Sequence, residues 1–152
     1  MYLHMHRGNI FRVFSRAIIL PGIHVPNRGF TDIQTQFRRN LLISDGIIND
    51  LAEEDVLIEI YISEFELIRY GIEKNNYGLI PALPISRIKS IYLINEEAKI
   101  KLLADSKVAD AGIIPERLLI PSFPDGLRHI ASETIVATIP LLENNKISKP
   151  QL

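Results

Sequence analysis

The stretch Asp55-Val56-Leu57-Ile58-Glu59-Ile60-Tyr61-Ile62, written DVLIEIYI, decides the fold of this chain. Val56, Ile58, Ile60 and Ile62 recur at every second position, with Glu59 between them, which is the period of a half-buried strand. A second alternating run, ISRIKSIYLI at residues 85–94, follows Pro84 and predicts a strand in the centre of a sheet. The two runs are expected to be neighbours or near-neighbours in one sheet, with Val56, Ile58, Ile60, Ile88 and Ile91 buried. Each such side chain contributes ~1.5–3 kcal/mol on leaving water.

Outward from this pair, strands and helices mix without regular alternation. Tyr2–His6, YLHMH, is short and alternating and suits a strand. Asn9 can cap a helix carrying Ile10, Val13, Phe14, Ala17 and Ile18 at helical spacing, stopped by Pro21 and Gly22. Thr31 or Asp32 can start a second helix with Ile33, Phe37 and Leu41 on one face. Ser44-Asp45-Gly46 reads as a turn. Ser63 caps a short helical turn, EFELIRYG, ended by Gly71, and Glu73 to Gly78 reads as a loop. Asn95 caps EEAKIKLLADS, whose first two acids lie where the helix dipole favours them. ERLLI starts at Glu116, and ETIVATIPLL at 133–142 predicts a last strand with Pro140 near its edge. The expected class is α+β, with a mixed or antiparallel sheet and flanking helices. Residues 1–142 would form one domain and 143–152, ENNKISKPQL, a flexible tail or the start of a linker.

Composition narrows the function classes. The 152 residues suffice for one proper core. With 47% apolar and 23% charged residues, the chain has the balance of a globular protein, not a disordered one. The lack of cysteine excludes disulfides, thiolate nucleophiles and cysteine zinc sites. The nearest approach to a membrane span, AIILPGIHV at 17–25, is broken by Pro21 and Gly22 and falls short of the ~20 residues required. A cytoplasmic, soluble protein is expected. There is no P-loop, GxGxxG, GxSxG or zinc finger.

His4 and His6 are two apart, so on a strand they share a face. They could ligate a metal, line a nucleotide-binding strand, or belong to an ordinary half-buried strand. Only His24 and His129 remain as histidines, in no metal-type spacing, so no metal is expected. The net charge of −1 hides an asymmetry. Arg7, Arg12, Arg16, Arg28, Arg38 and Arg39 precede residue 40 against only Asp32. Asp45, Asp50, Glu53, Glu54, Asp55, Glu59, Glu64 and Glu66 then follow without a lysine or arginine. Converging arginines would attract an anion such as nucleic acid, with Phe11, Phe30 and Tyr77 as stacking candidates. Packed against the acidic segment, they would pair with it instead. Glu53-Glu54-Asp55 reads as a solvated loop before a strand.

The run YLHMHRGNIFRVFSRAIILPG, residues 2–22, resembles the beginning of the DarT-like ADP-ribosyltransferases, where a histidine-bearing strand precedes an Asn-led helix and a turn. LIPALPISRIKSIYLINEEA, residues 79–98, is similar to that family's proline-led segment, spaced isoleucine pair, strand and helix. The resemblance implies an NAD-binding cleft, with His4 or His6 and Asn9 near the cofactor and Arg38 or Arg39 near its phosphates. It also implies modification of DNA bases in toxin–antitoxin and antiviral defence systems. The family's catalytic glutamate should stand just before the proline-led segment, where Asn76-Tyr77-Gly78 lies. Glu73 is the nearest acid, a few residues out of register, and Glu133 is the other candidate. A transferase of this kind needs a carboxylate to orient the ribose and stabilise its developing charge. The expected function is therefore a non-catalytic or weakly catalytic ADP-ribosyltransferase-like module that binds a nucleotide, nucleic acid or protein partner. The alternatives are an NAD-dependent transferase acting on DNA through Glu73 or Glu133, and a protein–protein assembly domain.

Overall fold

The computed structural model describes residues 1–21, 40–48, 51–72, 76–108, 113–131, 133–135 and 137. In chain order the first strands are β1 (Tyr2–His6), β2 (Ile18–Ile19), β3 (Leu41–Ser44), β4 (Ile47–Ile48) and β5 (Asp55–Ile60). They are followed by β6 (Tyr77–Ile80), β7 (Leu83–Pro84), β8 (Ile88–Tyr92), β9 (Leu119–Ile120) and β10 (His129–Ile130). Among the described residues the longer helices are α1 (Ile10–Arg16), α2 (Glu64–Arg69) and α3 (Glu96–Val108).

Six strands form the main sheet in the order β6-β3-β1-β5-β8-β9. Every pairing in it is antiparallel except β8 with β9. The two alternating runs are neighbours, with Ile58 opposite Ile91 and Ile60 opposite Ile88. On the other side of β5 stands β1, with Leu3 opposite Ile58 and Met5 opposite Val56. These residues belong to one apolar layer in which Leu41, Ile43 and Ile80 continue the sheet and Ile10, Val13, Phe14, Ala98 and Leu102 come from α1 and α3. A second, smaller core gathers Leu42, Ile48, Tyr77, Leu79, Ile130 and Ile135 on the β3–β6 side. Alternation along β3 and β6 sends successive side chains to the two cores. The fold is α+β as expected.

Several local expectations are corrected. The first helix ends at Arg16, because Ala17 turns left-handed and Ile18–Ile19 pairs with β7. Leu41 belongs to a strand and not to a helix; the helix expected from Thr31 or Asp32 otherwise lies outside the described residues. Tyr77-Gly78 is strand and not loop, since the edge of β3 accepts it, with Ile43 opposite Gly78 and Ser44 opposite Tyr77. Gly78 also meets Ile72 so closely that a Cβ there would lie 2.6 Å from Cγ1 of Ile72. The last expected strand is helical at residues 133–135, where burial of Ile135 in the second core outweighs the β-branched run. Residues 143–152 lie outside the described residues. Among the described residues, no helix is long and apolar enough to cross a membrane.

Helix α2 is held by polar bonds more than by burial. The Ser63 hydroxyl accepts from the Glu66 N–H at 3.1 Å, and the Glu66 carboxylate accepts the Ser63 N–H at 3.1 Å. Together these make a capping box. Arg87 grips the same carboxylate with both terminal nitrogens, at 2.9 and 3.1 Å. Those Arg87 bonds, with the help of Ser63, hold the Glu66 carboxyl down at about 2.

Two outcomes follow. Ile58→Ala removes a fully buried side chain from the middle of the sheet and should cost ~2–5 kcal/mol in chemical denaturation. Glu66 binds its proton less readily when folded than when unfolded. Its contribution is therefore fully present above the ordinary carboxyl range near 4.5 and is lost as pH falls toward 2. Glu66→Gln should lower stability at neutral pH, and its difference from wild type should shrink across that acid window.

Candidate functional site

The β1–β5 register that buries Leu3 and Met5 turns Tyr2, His4 and His6 to the opposite face. There they stand opposite Glu59, Leu57 and Asp55. Sequence-distant acids thereby reach the histidines. His4 Nε2 lies 3.1 Å from Asp55 Oδ2, and His6 Nε2 lies 2.9 Å from Glu54 Oε2. Asp55 Oδ2 also accepts the Ala52 N–H at 2.7 Å. Glu54 reaches Arg7 as well, at 3.5 Å.

The two histidines have different duties. The Gly8 N–H donates to His6 Nδ1 at 3.0 Å, so that nitrogen is an acceptor and the ring proton sits on Nε2, facing Glu54. His6 is fully buried and caps the 3-10 turn Arg7–Asn9 that leads into α1. The side chain of His4 remains 14% exposed. Asn9 does not cap α1: its side chain makes no cap bond, and its buried Nδ2 has no hydrogen-bond partner among the described residues. The Ile10 N–H is already taken by the Arg7 carbonyl, so the start of α1 is not an open row of donors.

Farther along the same face, the Tyr92 hydroxyl donates to Glu59 Oε1 at 2.6 Å, and Lys89 Nζ lies 3.5 Å from Glu59 Oε2. Burial, aided by Glu59, pushes the Tyr92 phenol up to about 12 and raises that of Tyr2. Both stay protonated donors at neutral pH. Their rings lie 6.4 Å apart at 59°. Beside the β1–α1 corner is a cavity of about 210 Å³ lined by Arg7, Glu53, Glu54, Glu97, Ala98 and Lys101.

Of the residues singled out in the sequence, the structure brings His4, His6 and Asn9 to one corner. Arg38, Arg39 and Glu73 lie outside the described residues. Glu133 is exposed on the helical turn that packs through Ile135 into the second core. Glu53 is exposed on a turn before β5, as expected of a solvated Glu53-Glu54-Asp55 loop, but Asp55 is buried in the strand and Glu54, 40% exposed, holds His6 and Arg7. The available signal was the position of this acidic run at the head of β5, where an antiparallel partner must bring the far end of β1. Among the described residues, no three His, Asp or Glu side chains are grouped as metal ligands.

His6→Ala removes both the cap and the Glu54 partner and should cost ~1–3 kcal/mol in thermal or chemical unfolding. His6→Asn, whose side-chain oxygen can still accept from the Gly8 N–H, should recover part of that loss.

Residues 1–120 match the 2-Component system ADP-ribosyltransferase domain. The matched span contains the six-stranded sheet, α1, α2, α3 and the β1–α1 corner, and ends with β9. It stops short of β10 and Glu133. No curated protein and no solved structure matches the chain.

Proposed function

The chain belongs to the 2-component system ADP-ribosyltransferase family, and from that membership we propose that it binds NAD at the β1–α1 corner and turns it over weakly or not at all. One observation carries the second half of this reading. The carboxylates nearest the histidines are already committed, Asp55 to His4 and the Ala52 N–H, Glu54 to His6 and Arg7. A carboxylate so held is poorly placed to orient a ribose or to face the positive charge that grows on the sugar as nicotinamide leaves.

In this reading His4, with its partly open imidazole, meets the ligand, while His6 and Asn9 shape the turn beneath it. Arg38 or Arg39 would meet the phosphates. A protein is the partner expected, because the family description names a two-component system.

The test is calorimetric titration with NAD, combined with an assay of nicotinamide release in the presence and absence of single-stranded DNA. NAD should bind, His4→Ala should weaken binding about tenfold, the loss of one good hydrogen bond, and release should stay at the uncatalysed background. Sustained release abolished by Glu73→Gln or Glu133→Gln would replace this reading with an active transferase. No heat with NAD would remove NAD from the account.

A further inference from the structure

Helix α2 is fixed in place yet buries none of its residues. The capping box and the Arg87 grip hold its inner side, and Arg87 also donates to the Tyr61 carbonyl at 3.0 Å while its own carbonyl accepts the Tyr61 N–H at 2.7 Å. Leu67 and Tyr70 lean on the core from that inner side. The outer side carries Glu64, Phe65, Ile68 and Arg69, neighbours at helical spacing. Phe65 is 73% exposed and Ile68 58%, and Tyr61, just before the helix, is 56% exposed. A rigidly presented apolar cluster of this kind has the form of an interaction surface and not of scattered surface residues.

Its charges identify the occupant. Glu66 is satisfied by Arg87 and Glu59 by Lys89, so the rim has no surplus of either sign to recruit a nucleic acid. The two charges on the outer face itself are Glu64 at the first position of α2 and Arg69 at the last. Among the described residues neither forms an ion pair, and Arg69 rests over the Tyr70 ring at 5.8 Å. A helix face with an acid at one end, a base at the other and apolar residues between is complementary to itself when reversed.

We propose that α2 is a self-association surface, pairing antiparallel with α2 of a second copy of this chain about a two-fold axis. Phe65, Ile68 and Tyr61 of the two copies meet at the centre. Glu64 of each copy faces Arg69 of the other, as a two-fold contact requires. One short helix per copy gives an interface at the small end of the range, so the dimer is reversible, with a dissociation constant on the order of 10 µM or weaker. The contact is separate from the β1–α1 corner and does not depend on NAD.

Sedimentation velocity of the full chain over about a hundredfold range of concentration around that constant tests it. The wild type should pass from monomer to dimer. Phe65→Glu, at a side chain that supports nothing inside the protein, should stay monomeric with an unchanged thermal melt. Glu64→Arg should weaken the dimer about fivefold or more, and Glu64→Arg combined with Arg69→Glu should restore it, because the swapped charges meet again across the two-fold. A wild type that remains monomeric throughout, or a dimer that survives Phe65→Glu, overturns the proposal. A dimer lost in Phe65→Glu but not rescued by the charge swap overturns the antiparallel arrangement.

Discussion

The register between β1 and β5 is the constraint on which the rest of the structure depends. Leu3 must stand opposite Ile58 and Met5 opposite Val56 for the apolar layer to close over α1 and α3. A slip of one residue would send Leu3 and Met5 to the polar face and drive His4 and His6 into the isoleucine layer. Both strands lie inside the sheet with partners on either side, so no edge is left along which they could slide. What looks like a packing decision therefore also places every polar group of the candidate site.

The same register brings the end of β1 against the acidic head of β5. Where the end of β1 passes the start of β5, His4 pairs with Asp55, and His6 and Arg7 share Glu54. A buried polar pair of this sort gives little net stability once desolvation is counted, but removing one partner leaves the other without compensation. These bonds tie the polar side chains of the corner to one another. A carboxylate needed for sugar chemistry would have to be released from its present bonds.

Burial and polar clamping are divided among the helices. Helices α1 and α3 contribute side chains to the core, while α2 hangs from a capping box and a two-pronged arginine. Clamping by polar bonds leaves the outward side chains free of any packing duty. A helix can keep Phe65 and Ile68 in water only if something other than their burial holds it in place, and here Glu66 and Arg87 do so.

Much of this was legible in the sequence. Period-two alternation marks Val56, Ile58 and Ile60 as one face, whereas Ile88 and Ile91, three apart, join that face only through a register irregularity between Glu59 and Ile60. Ser63 announces a helix start, Asn95 announces another, whose side chain accepts the Ala98 N–H at 2.9 Å, and the α+β class follows from the mixture. These features are written in neighbouring residues, and local sterics and local hydrogen bonds decide them. The tertiary structure alone decided the partners. His6 meets an acid 48 positions away, Tyr77-Gly78 becomes strand because β3 has an edge to share, and Ile135 is drawn into a helical turn by a core assembled from four other elements. Composition and spacing carry no information on which distant segment arrives at a given face. Sheet order and register supply it, and they exist only once the chain has folded.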